Sequence, residues 1–146
     1  MLLKKCVLIA LLALFSFGDL VYAQDSMTMQ VTSERYREMG RNNSWGNWSK
    51  WTSSNSIIYF GEDEDGDLAF YVEDGENSEN DLYFIITYAS DPTYDSNGGE
   101  HMTAKVTEIH SGNRGTLVWY TYPSGDRNQF TLRFPTIEIQ YRTKDL

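Results

Sequence analysis

The chain has 146 residues, 40% of them hydrophobic and 14% aromatic, with a formal net charge of −9 at pH 7 and one cysteine. That length suits one domain burying about two-thirds of its unfolded surface, and the aromatic content excludes a solvated tail. The acidic balance weighs against nucleic acid and anionic lipid surfaces as partners, because both repel a negative chain.

Residues 1–23 read as a secretory leader. Lys4 and Lys5 form a basic start, residues 6–17 are an apolar run, and Val21-Tyr22-Ala23 places small residues at a cleavage point. A run of roughly a dozen apolar residues falls short of the ~20 that cross a bilayer. Cleavage leaves residues 24–146 as a single all-β domain, secreted or periplasmic, with no membrane insertion. Lys4, Lys5 and Asp19 leave with the leader, so 10 basic and 20 acidic residues remain and the net charge becomes −10. Cys6 leaves too, which removes any disulfide, cysteine nucleophile or thiolate metal ligand from the mature chain.

Met27, Met29 and Val31 alternate with Thr28, Gln30 and Thr32, which predicts a first strand; residues 34–39 read as its continuation or as a short helical turn. Beyond residue 54, β-branched and aromatic runs are separated by Asp, Gly, Asn and Pro. The runs are 57–60, 68–72, 82–89, 102–110, 116–122 and 129–141, and the connections include Asp65-Gly66, Asp74-Gly75, Asn97-Gly98-Gly99 and Ser111-Gly112-Asn113. Such short connections hold no crossover helix, so the strands should form an antiparallel meander. Residues 90–99 could instead carry the long crossover of a two-sheet β-sandwich. In the last run Phe130, Leu132 and Phe134 share a face, as do Ile137, Ile139 and Tyr141. The break between these two sets places a bulge or bend at Pro135.

Trp45, Trp48 and Trp51 recur every third residue. The spacing is similar to the layered tryptophans of thrombospondin type 1 repeats, whose indoles can be C-mannosylated, but that fold depends on disulfides this chain does not form. Gly46-Asn47-Trp48 followed by a strand meander resembles the lipocalin-like (calycin) barrels, whose entry strand carries Gly-x-Trp. The resemblance implies a closed barrel of about seven to eight strands with a small apolar ligand inside, and a tryptophan closing one end. One or two of the three indoles are therefore expected to plug the barrel or sandwich end.

Residues 62–67, Glu-Asp-Glu-Asp-Gly-Asp, gather carboxylates as a calcium site would, but aligning Gly66 with the EF-hand glycine puts Gly61 and Val72 at ligand positions. The segment reads as a charged hairpin tip. His101 and His110 lie at the two ends of one strand, and His110 could be grouped with Glu108 and Asp126, though no spacing demands it. Asn42-Asn43-Ser44 and Asn47-Trp48-Ser49 match the N-glycosylation acceptor, a pattern that arises by chance in an Asn- and Ser-rich stretch. No nucleophile elbow, phosphate loop or metal-ligand motif is present, so the sequence predicts no catalytic residue, no cofactor and no metal.

Two strands are apolar on both faces. Leu117 and Trp119 oppose Val118, Tyr120 and Tyr122, and Leu82, Phe84, Ile86 and Tyr88 oppose Tyr83 and Ile85. A central covered sheet and a binding surface each explain this, and tyrosine's wet hydroxyl suits the second. Trp48, Tyr83, Trp119, Tyr120 and Tyr122 are accordingly the candidate ligand-binding residues. The sequence thus points to a non-catalytic binding protein with either an apolar ligand inside a barrel or a carbohydrate or protein held on exposed Tyr and Trp.

Overall fold

The computed structural model describes residues 27–125 and 127–146; the segment 1–23 that reads as a leader, residues 24–26 and Asp126 lie outside the described residues. The fold is all-β. Strands β1 (Met27–Glu38), β2 (Thr52–Ser53), β3 (Ile57–Glu62), β4 (Leu68–Glu73), β5 (Leu82–Ala89), β6 (Thr93–Tyr94), β7 (Glu100–Glu108), β8 (Arg114–Thr121), β9 (Arg127–Arg133) and β10 (Ile137–Asp145) follow in chain order. Eight of them form a closed antiparallel meander in the order β1-β3-β4-β5-β7-β8-β9-β10, and β10 returns to pair with β1. Closure leaves the sheet without open edges along its length. The short β2 and β6 pair outside this ring, with β1 and β7.

The turns follow the sequence signals. Gly66, Gly98, Gly112 and Gly125 all adopt positive φ, which glycine reaches without a steric cost. The 90–99 connection is no crossover: β6 folds back on β7, and Ser90 N–H donates to Thr103 O. Pro135 does not bulge a single strand. It sits in a tight turn between two antiparallel strands, closed by a 2.8 Å bond from Phe134 N to Ile137 O. The period-two break at this point is the change of strand, and Pro135 lacks a backbone N–H that the turn does not need.

An eight-stranded barrel has an interior just wide enough to be filled by side chains or to hold one small ligand. Here aromatic rings meet across the barrel axis. Phe70 on β4 lies 5.2 Å from Phe130 on β9, four strands around the ring, and Phe60 on β3 lies 4.9 Å from Trp119 on β8, also four strands around. Phe84 on β5 stacks on Phe134 at 5.9 Å, beyond the end of β9. Met29, Ile58, Leu117 and Leu132 fill the spaces between, each almost fully buried. Burying each such side chain contributes about 1.5–3 kcal/mol. The polar groups inside are paired: Asn128 Oδ1 accepts bonds from Trp119 Nε1 at 2.7 Å and Thr121 Oγ1 at 2.8 Å, and Thr143 Oγ1 donates to Asn128 O.

Carboxylates organise the turns. Asp63 accepts from Asp65 N, Asp67 N and the Tyr83 hydroxyl. Asp74 accepts from Glu76 N and Asn77 N, and Asp95 from Asn97 N, Gly99 N and the Tyr120 hydroxyl. The Tyr83 hydroxyl and the turn N–H groups hold Asp63 below the usual carboxylate range; Asn77 and Glu76 do so for Asp74, and Gly99 and Asn97 for Asp95. A depressed folded pKa adds stability that is fully present above the unfolded value near 4 and is lost as pH falls through the folded value. The melting temperature is therefore expected to fall between pH 5 and pH 3. An Asp63→Asn/Asp95→Asn variant should melt lower at pH 7 and lose less over the same acid range. Parallel pH profiles for the two proteins would refute this assignment.

Candidate functional site

The site begins with a register shift. In β1, Met29 and Val31 point into the barrel, and an unbroken strand would send Ser33, Arg35 and Arg37 inward as well. A bulge at Thr32 intervenes: Val31 pairs with Thr143, and Ser33 already pairs with Arg142. The extra residue reverses the alternation, so Arg35 and Arg37 emerge on the outer face beside Gln140 and Glu138. Residues 34–39 are therefore strand and not a helical turn.

The tryptophan segment runs antiparallel beside this half of β1. Gly46 N donates to Glu38 O, Ser49 N to Tyr36 O, and Thr52 pairs with Glu34. Each step of three residues in the segment is matched by two in β1. A tryptophan period of three thereby falls into step with an arginine period of two, and the side chains interleave. The Arg37 guanidinium lies 5.1 Å from the Trp45 ring and 4.7 Å from Trp48; Arg35 lies 4.6 Å from Trp48 and 4.5 Å from Trp51; Arg142 of β10 completes the ladder 3.9 Å from Trp51. Such contacts contribute about 0.5–1 kcal/mol each at exposed sites and more when desolvated. None of these three indoles plugs the barrel. Trp119 is the tryptophan inside it, stacked on Phe130 at 5.6 Å.

Beneath the ladder Glu138 is 1% exposed. Its carboxylate is gripped by Arg37, through Nε at 2.7 Å and a terminal nitrogen at 2.6 Å, and on the other side by Arg133. Arg35 donates from Nε to Gln140 Oε1 at 2.9 Å. Burial, together with the positive charges of Arg142 and Arg37, lowers its pKa. Neither Arg35 nor Arg142 has a carboxylate partner among the described residues.

A second aromatic row crosses the outer surface of β3, β4 and β5. Tyr59, Tyr71 and Tyr83 are cross-strand neighbours on β3, β4 and β5, with ring centroids 5.8 and 5.5 Å apart in edge-to-face contact. Their hydroxyls donate to Glu73, Asp81 and Asp63. The bond to Asp81 raises Tyr71 to about 12, and burial with the bond to Asp63 raises Tyr83 to about 12. Farther round, Tyr120 packs on His101 at 4.6 Å and on Tyr122 at 4.9 Å, and Arg127 lies over Tyr122.

The five candidate residues thus occupy four places. Trp48 belongs to the arginine ladder, Tyr83 to the tyrosine row, Tyr120 and Tyr122 to the β8 cluster, and Trp119 to the core. Sequence reading missed Arg35, Arg37, Arg142 and Glu138. The signal lay in Arg35 and Arg37, spaced by two just ahead of tryptophans spaced by three. Glu108, grouped with His110 from the sequence, instead accepts from His110 N, Ser111 N and Ser111 Oγ and closes its own turn; Asp126 lies outside the described residues. Among the described residues no cluster of three or more His, Cys, Asp or Glu side chains could hold a metal ion. No protein-family model, curated protein or solved structure matches the chain.

Proposed function

We propose that this protein is a secreted, non-catalytic binding module that works through its outer surface. The observation that carries the reading is the filled interior. Rings from opposite strands touch across the axis, which weighs against a small apolar ligand inside and favours a carbohydrate or protein partner on the outer face, where half-buried Trp and exposed Tyr side chains lie. The turn carboxylates support the non-catalytic part, since Asp63, Asp74, Asp95 and Glu108 hold backbone N–H groups of their own turns instead of facing a common cleft. The leader-like residues 1–23 support secretion.

The test uses a neutral apolar fluorophore such as N-phenyl-1-naphthylamine, titrated into the folded protein. No saturable rise in emission is expected. Stoichiometric binding that quenches tryptophan fluorescence and is competed by fatty acids or sterols would overturn the surface reading in favour of an interior site.

A further inference from the structure

We infer that the outer face of β1, β10 and β9 binds a linear anionic polysaccharide, one bearing sulfate or carboxylate groups. This rests on the surface reading above and names its site and ligand class.

The argument starts from where the charge lies. Outward positions on these three strands hold Arg35, Arg37, Arg142, Lys144, Arg127 and Arg133, half of the chain's 12 basic residues, against one of its 21 acidic residues, Glu138. The register arranges them in rows. Arg127 faces Lys144, Arg142 comes next along β10, then Arg35 beside Gln140, then Arg37, Glu138 and Arg133. Rows two residues apart along a strand rise ~7 Å each, so the cationic stripe is ~20 Å long. The carboxylate-rich segments, residues 62–67 and 73–81, belong to the turns joining β3, β4 and β5 and not to these three strands. At physiological ionic strength charge is screened over ~8 Å, so a ligand on the stripe meets a local positive field although the whole chain is negative.

The ladder also limits what kind of anion fits. Trp48 and Trp51 each carry two guanidinium groups, at 4.6 and 4.7 Å and at 4.5 and 3.9 Å from the ring centre, so the protein's own cations compete with any ligand for these rings. A nucleobase would have to stack on such a ring, as would the apolar face of a neutral sugar. What remains for a ligand is a set of N–H donors. The terminal nitrogens of Arg35 and Arg142, held in place by the indoles, present the planar donor geometry that matches carboxylate and sulfate-like oxyanions. A chain of sugars bearing such groups at intervals matches the stripe better than a nucleic acid does.

Dextran sulfate, alginate, neutral dextran and oligo(dT) are to be titrated into the mature protein, with tryptophan emission as the readout. Saturable binding of dextran sulfate, alginate or both is expected, weakened at least tenfold between 0.15 and 0.5 M NaCl, with none to neutral dextran. An Arg127→Gln/Arg142→Gln/Lys144→Gln variant, checked by circular dichroism and melting temperature, should bind at least tenfold more weakly. A Lys105→Gln/Arg114→Gln variant, altered on β7 and β8 beyond the β9 border of the stripe, should lose less than threefold in affinity. Failure of both polyanions to bind folded protein overturns the inference. Equal weakening in the two variants overturns the assignment to this face, and tighter binding of oligo(dT) than of either polysaccharide overturns the ligand class. Binding of neutral dextran without the polyanions would also overturn it, yet leave the surface reading intact, whereas interior uptake of the apolar fluorophore would remove that reading itself.

Discussion

Replacing Phe70 with alanine is expected to destabilise the protein by about 3–5 kcal/mol, the usual cost of removing a fully buried aromatic ring from a core that cannot collapse into the space. Phe70 has no exposed surface and touches the rings of Phe60, Phe84 and Phe130, so its loss removes the central contact between opposite strands. Barrel strands bonded on both sides cannot move inward to fill the void. Denaturant unfolding should show a lower midpoint with an unchanged m-value. Because a void of that size lined by apolar groups stays dry and accepts small apolar molecules, the variant should also bind benzene-sized ligands that the wild type excludes. A loss below about 1 kcal/mol would mean that the rings do not fill the interior.

Glu138→Ala is expected to cost about 2–3 kcal/mol, measured in the same way. Removing one partner of a fully buried ion pair costs about 3–5 kcal/mol, but Arg37 and Arg133 are 25% and 52% exposed and recover part of their hydration. The remaining penalty comes from two guanidiniums, those of Arg37 and Arg133, left without their shared carboxylate. A Glu138→Gln variant, isosteric and uncharged, separates packing from charge: its cost should shrink as salt rises, and that of the alanine variant should shrink less. If both variants unfold at the wild-type midpoint, the carboxylate is not what holds the arginines together.

The barrel was legible in the sequence because its causes are local. Period-two patterning in Phe130-Thr131-Leu132 and turn chemistry at Asp65-Gly66 or Asn97-Gly98 act over a few residues, and a meander asks only that neighbours pair. The arginine ladder was not legible because it depends on a bulge and on a mismatch of step lengths. Nothing in Val31-Thr32-Ser33 announces an extra residue, and without it Arg35 and Arg37 belong to the face of Val31. Gly46-Asn47-Trp48 suggested a plugged barrel through its resemblance to the calycin entry strand and because large aromatics bury readily; here the guanidiniums supply an alternative cover on the outside. Net charge misled for a different reason. It averages over a surface on which acidic turns and a basic stripe are segregated by topology.

The pairing of β1 with β10 has a kinetic side. Every other neighbour pair in the ring is joined by a far shorter stretch of chain, the longest being residues 39–56 between β1 and β3, whereas Arg37 and Glu138 are 101 residues apart. Loop closure of that length carries the largest entropic cost in the molecule and comes after the local hairpins have formed. The basic stripe straddles this seam, so a nascent or truncated chain lacking β10 loses only Arg142 from the ladder but has no stripe. A ligand lying across both strands acts as a clasp, binding only the closed form and slowing the unzipping of the seam. Its presence should therefore lower the unfolding rate more than it raises the folding rate.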